Sequence, residues 1–170
     1  MKRTGDVVCR ASGAFLLAIC FAAYCTAANA QQLTKSGRFT VQSGWKAIGE
    51  TTQVAEGRTY GSGTLWGVVF NVDGAGPLNW GTGVCPYILE VKDGALKAQG
   101  HCSWGDAGGD KIFTEFTGSM PPNAPFDGLH KITGGTGKFT GIQGNARFHC
   151  KALNASGQYA CTQRFDYRLP

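Results

Sequence analysis

Gly134-Gly135-Thr136-Gly137-Lys138-Phe139-Thr140-Gly141-Ile142-Gln143-Gly144 is the stretch on which the fold turns. Five of its eleven residues are glycine. That density suits neither a helix interior nor a strand interior, because glycine loses more backbone entropy than any other residue when fixed there. It suits a corner at which the chain reverses and one backbone passes close to another. Apolar alternating segments flank it on both sides, so Gly134, Gly135, Gly137, Gly141 and Gly144 read as a structural turn between β-strands.

Working outward, strands are expected after the corner at residues 145–152 and 158–169, and before it at 126–133, set off by Pro121, Pro122 and Pro125. Further upstream the same punctuation marks strands at 111–117, 95–104, 83–91 and 64–72. The first strand spans 38–48, with 51–55 continuing it after a kink at Gly49-Glu50. No segment shows helical periodicity. About eight short strands joined by hairpin-like links predict an all-β fold, an antiparallel up-and-down β-barrel, since closure removes exposed edges. Eight strands leave an interior just wide enough to be filled by side chains or to hold one small ligand.

The N-terminus carries Lys2, Arg3 and Arg10, then an apolar run from Ala14 to Ala23, then Ala28-Asn29-Ala30. These are the three parts of a secretory signal peptide, so residues 1–30 are expected to be removed after Ala30. The apolar run is too short for a spanning helix, which needs about 20 residues. Ile19 and Tyr24 precede Cys20 and Cys25 where a lipoprotein signal wants a small residue. The expected working chain is a single barrel domain, residues 31–170, secreted or periplasmic and free of the membrane. Loss of Lys2, Arg3, Arg10 and Asp6 lowers its net charge from +5 to +3. No basic run survives in it, which argues against nucleic acid as a partner.

Four cysteines remain in that chain: Cys85, Cys102, Cys150 and Cys161. An even count in an exported protein reads as a disulfide framework. Asp93-Gly94 between two alternating apolar runs is a strong hairpin signal. A two-residue loop there sets Cys85 opposite Cys102, each seven residues out from the closing pair Lys92 and Ala95. This is a non-hydrogen-bonded site, where Cα atoms sit about 4.5 Å apart. Pro86 would face His101 at a hydrogen-bonded site, so a bulge or an edge is expected there. A four-residue turn at Asn154-Ala155-Ser156-Gly157 likewise sets Cys150 opposite Cys161. The expected pairs are Cys85–Cys102 and Cys150–Cys161, on the apolar faces of their strands.

Chemistry-bearing motifs are few. The glycine corner is not a phosphate loop, because Phe139 follows Lys138 and Ile132 stands where the first glycine belongs. Asp106 and Asp110 offer calcium too few acids. His101, His130 and His149 lack ligand spacing, so no metal and no cofactor is expected. Glu115, in the strand Ile112-Phe113-Thr114-Glu115-Phe116, is the carboxylate to weigh. Facing into a barrel it would have a raised pKa and could act as acid or base, whereas alternation also allows a solvated outward glutamate. Glu90 has the same ambiguity. Asn154-Ala155-Ser156 is a glycosylation sequon in a turn, relevant where the host glycosylates exported proteins.

Gly134-Gly135-Thr136-Gly137-Lys138-Phe139, followed by Gly141 and Gly144, resembles the G-G-T-G-x-F segment of dirigent proteins and the G-G-[ST]-G segment of allene oxide cyclases. It is more similar still to small secreted bacterial proteins of unassigned function. The likeness covers about 15 residues. It implies an eight-stranded antiparallel barrel with a ligand cavity lined by polar and acidic residues, and carries no catalytic residue onto this chain. The leading expectation is a non-enzymatic exported barrel that binds a small apolar ligand or a partner surface. The alternative is a cofactor-free isomerase or cyclase of that type, using a lumen carboxylate such as Glu115 with a cationic neighbour such as Arg147. A filled barrel with a purely structural role is the third. Nothing in the sequence selects an oligomeric state.

Overall fold

The computed structural model describes residues 33–170. The signal segment, its cleavage point after Ala30, and Cys9, Cys20 and Cys25 lie outside these. Eight strands follow one another: β1 (Ser36–Ala55), β2 (Arg58–Asn71), β3 (Gly81–Lys92), β4 (Ala95–Gly105), β5 (Lys111–Met120), β6 (Phe126–Gly135), β7 (Gln143–Ala152) and β8 (Gln158–Arg168). Each pairs antiparallel with its chain neighbour, and β1 pairs with β8, so the sheet closes into a barrel. Closure pairs the barrel wall on both sides; beyond Lys46, β1 extends past β8 and its ladder continues with β2 alone.

A period of two decides which side chains go inside. On β1, Phe39, Val41, Ser43 and Trp45 are buried, while Gln42, Gly44 and Lys46 are exposed. On β5, Ile112, Thr114 and Phe116 are buried, while Phe113, Glu115 and Thr117 are exposed. The lumen is mostly apolar, and charged residues such as Lys131, Arg147 and Arg164 stand outside, together with the apolar side chains Trp66, Val68 and Phe70 on the outer face of β2.

The hairpin register is as the cysteines require. Cys85–Cys102 and Cys150–Cys161 are disulfides, each with a Cα separation of 4.1 Å. Pro86 is a correction, because neither a bulge nor an edge occurs there. The β3–β4 register runs without a shift from Val84 opposite Ser103 to Tyr87 opposite Gly100. The proline only deletes one rung, and the adjacent disulfide holds the two strands across the gap. The first hairpin also differs from expectation. β1 runs straight through Gly49-Glu50, and β2 starts at Arg58 instead of 64. Gly49 faces Gly63 across the pair, and a Cβ on Gly49 would lie 2.7 Å from the Gly63 Cα. These glycines permit close backbone approach inside a continuous ladder and do not break it.

The two ends of the barrel differ. At one end lie the hairpin turns 56–57, 93–94, 121–125 and 153–157; at the other lie the loops 72–80, 106–110 and 136–142. The loop end is packed shut by Leu78, Phe139 and Ile142, above Phe39 and Phe165 stacked 4.7 Å apart. The glycine corner supplies two of these plugs. A 3₁₀ turn, Gly137–Phe139, drives Phe139 inward, and its outer side docks on the β4–β5 loop. Lys138 pairs with Asp106, whose Oδ1 also accepts the Gly108 and Asp110 amides at 2.8 and 3.0 Å. Gly137 has φ of 54°, and a Cβ there would run into the Asp110 carboxylate. Gly141 and Gly144 also have positive φ, whereas Gly134 does not and has open space beside it.

Candidate functional site

The hairpin end is where the barrel opens. Leu65, Leu89, Leu96, Ala98 and Met120 ring a pocket there and are only partly buried. Its floor is formed by Trp45, Trp104, Phe116, Phe148, both disulfides, His130 and Gln163, all buried. The cavity measures about 90 Å³. One enclosed water occupies about 10–15 Å³ on this measure, so the space suits several waters or one small ring entering from the mouth. The barrel is therefore mostly filled, with one apolar recess. Its lining includes no Asp, Glu, Lys or Arg.

Two polar chains cross the floor. Trp104 Nε1–H donates to Thr114 Oγ1 at 3.0 Å, and Thr114 Oγ1 lies 3.0 Å from His130 Nδ1. Trp45 Nε1–H donates to Ser43 Oγ at 2.7 Å, and Ser43 Oγ donates to Gln163 Oε1 at 2.9 Å. Each chain runs from an indole through a hydroxyl to a nitrogen-bearing side chain. Aromatic rings clamp His130, with Phe148, Trp104 and Phe116 centroids at 5.0, 5.2 and 5.5 Å. Burial pushes its pKa from 6.5 down to about 3, so the ring is neutral in ordinary solution. Burial also raises Tyr87, assisted by the nearby Tyr159.

The carboxylate and cation weighed from sequence lie elsewhere. Glu115 and Arg147 are exposed on the outer face of β5 and β7, so neither reaches the lumen. The reason is parity: Thr114 and Phe116 take the inward positions on either side of Glu115. Glu90 also points outward, where the Arg58 guanidinium 2.7 Å away holds its carboxyl below the usual range. Asp106 and Asp110 are engaged by loop amides and Lys138. Among the described residues no group of three or more His, Cys, Asp or Glu is placed to hold a metal. His101 and His149 are exposed, and Asn154 is exposed in its turn with Oδ1 accepting the Ser156 amide at 2.9 Å.

His130 and Gln163 are the residues that sequence reasoning missed. The signal was present in strand parity. His130 shares a face with Ile132, and Gln163 sits between Cys161 and Phe165 on theirs. A polar residue at an inward position is the informative observation in an apolar core. The sequence matches no protein-family model and no curated protein.

Proposed function

We propose that this protein is an exported barrel that binds a small, largely apolar molecule in the recess at its hairpin end, without catalysis. The recess itself carries the reading: an apolar, aromatic-walled cavity, open at one end, with a few convergent polar groups at its base. Two disulfides suit an oxidising compartment, in keeping with the signal segment read at residues 1–30 and cleavage after Ala30. Kinship with the dirigent and allene oxide cyclase barrels belongs to the same reading, supported by the glycine corner and the eight-strand up-and-down order. Acid–base turnover through a lumen carboxylate has no support in the side chains that line the recess.

The test is native mass spectrometry of unreduced protein exported by its own host. The expected mass is that of residues 31–170 less four hydrogens, with an additional small bound species that dissociates on gentle activation. The bare mass, with no small apolar molecule raising the melting temperature, would replace this reading with a filled structural barrel.

A further inference from the structure

We infer that the floor of the recess presents two unmet donors, the free nitrogens of His130 and Gln163, either of which receives the carbonyl or ether oxygen of an uncharged, otherwise apolar molecule. The inference rests on the binding role proposed above and specifies the chemistry of the ligand.

Thr114 Oγ1 accepts the Trp104 indole proton, so its own hydroxyl proton needs an acceptor. Among the described residues the partner in reach is His130 Nδ1 at 3.0 Å. Nδ1 therefore accepts, and a neutral imidazole with an accepting Nδ1 carries its single proton on Nε2. The second chain has the same logic. Ser43 Oγ accepts from Trp45, and its hydroxyl proton has two acceptors in range: Gln163 Oε1 at 2.9 Å and the Cys161 carbonyl at 3.5 Å. The shorter contact wins, because hydroxyl bonds centre near 2.8 Å and fade beyond about 3.2 Å. Gln163 Oε1 is thus occupied and its NH₂ is left to donate.

Neither nitrogen has a hydrogen-bond partner among the described residues, although His130 and Gln163 are 5% and 2% exposed. No side-chain nitrogen or oxygen sealed from open space lacks a partner there. The unpartnered nitrogens are therefore the atoms that reach the cavity, which both residues line. An unmet donor in an apolar recess is costly, and an incoming acceptor relieves that cost. Other polar groups do not compete at the floor. Both indole N–H groups are used, the Tyr87 hydroxyl lies against Gly63 nearer the mouth, and Tyr159, the other lining tyrosine, sits opposite Ala152 beside the 153–157 turn at the mouth end.

Charge selects the ligand class. With a neutral imidazole and no Lys, Arg, Asp or Glu in the lining, a carboxylate or an ammonium group would be buried without a counter-charge. A ketone, aldehyde, ester or ether oxygen accepts from either donor and brings no charge. Its hydrocarbon remainder faces the disulfides and the ring of leucines toward the mouth.

Two measurements on the intact protein test this. In ¹⁵N-labelled protein near neutral pH, long-range ¹H–¹⁵N correlations should show His130 protonated on Nε2 and bare on Nδ1. The opposite tautomer would overturn the inference. Titration with cyclohexanone and with its near-isostere methylenecyclohexane then isolates the oxygen. The ketone should bind about five- to thirty-fold more tightly, the net worth of one or two hydrogen bonds. That preference should shrink in Gln163→Leu. Equal binding of the two rings would remove the donor floor and leave the binding role standing. Saturable binding of neither would sink both.

Discussion

His130 should make this barrel acid-sensitive in a way that its removal cures. The perturbation is His130→Leu, which keeps an apolar side chain in the aromatic cage and deletes the titrating group. In the unfolded chain the imidazole takes up a proton near pH 6.5; in the folded barrel it does so near 3. Between those values the unfolded state binds more protons, so stability falls as pH falls through that window. The slope approaches about 1.4 kcal/mol per pH unit. At about pH 4.5, two units below the unfolded value, the loss relative to neutral solution is about 3 kcal/mol. The assay is urea unfolding with disulfides intact, at half-unit steps between about pH 7.5 and 4.5, for the wild type and the variant. The variant loses the Thr114 hydrogen bond, which offsets its stability at every pH by about 1–3 kcal/mol. That offset is constant, so only the difference in slope reports on the imidazole. Contributions common to both proteins cancel in the difference. Parallel curves would refute the reasoning, as would wild-type His130 resonances that titrate near pH 6.

Three further outcomes follow from the same geometry. Replacing Cys85 and Cys102 together by alanine should lower stability by about 3 kcal/mol, the chain-entropy value for a loop of this size, read by urea unfolding. A loss below about 0.5 kcal/mol would mean that the β-ladder alone holds the Pro86 gap. Glu115→Gln and Arg147→Gln should each leave the melting temperature and ring binding unchanged, since both side chains lie on the outer face. A marked loss of binding in either would return the lumen-carboxylate mechanism to consideration. Gly137→Ala should cost more than about 1 kcal/mol by the same unfolding assay, because φ is 54° and the new methyl group meets the Asp110 carboxylate. A neutral result would show that the corner relaxes without disturbing the Phe139 plug.

Much of the barrel was legible because strand parity and turn chemistry are local. Asp93-Gly94 sets its hairpin register without reference to anything distant, and that register delivers Cys85 to Cys102. Parity likewise separates Thr114 from Glu115 and, followed strictly, sends the carboxylate outward. Less legible were features whose cause lies across the sheet. Gly49 reads as a break until Gly63 is seen opposite it. Gly137 reads as a turn residue, but its role also includes admitting Asp110 from another loop.

The sequence by itself determined the strand order and the two cystines, since each follows from a two-residue period and from turns a few residues long. Tertiary structure decided which inward side chains meet. Trp104, Thr114 and His130 come from three successive strands, and Ser43 meets Gln163 across 120 residues. That last contact exists only because β1 pairs with β8. Barrel closure is a property of the whole sheet, and no local pattern encodes which residues it joins across the seam.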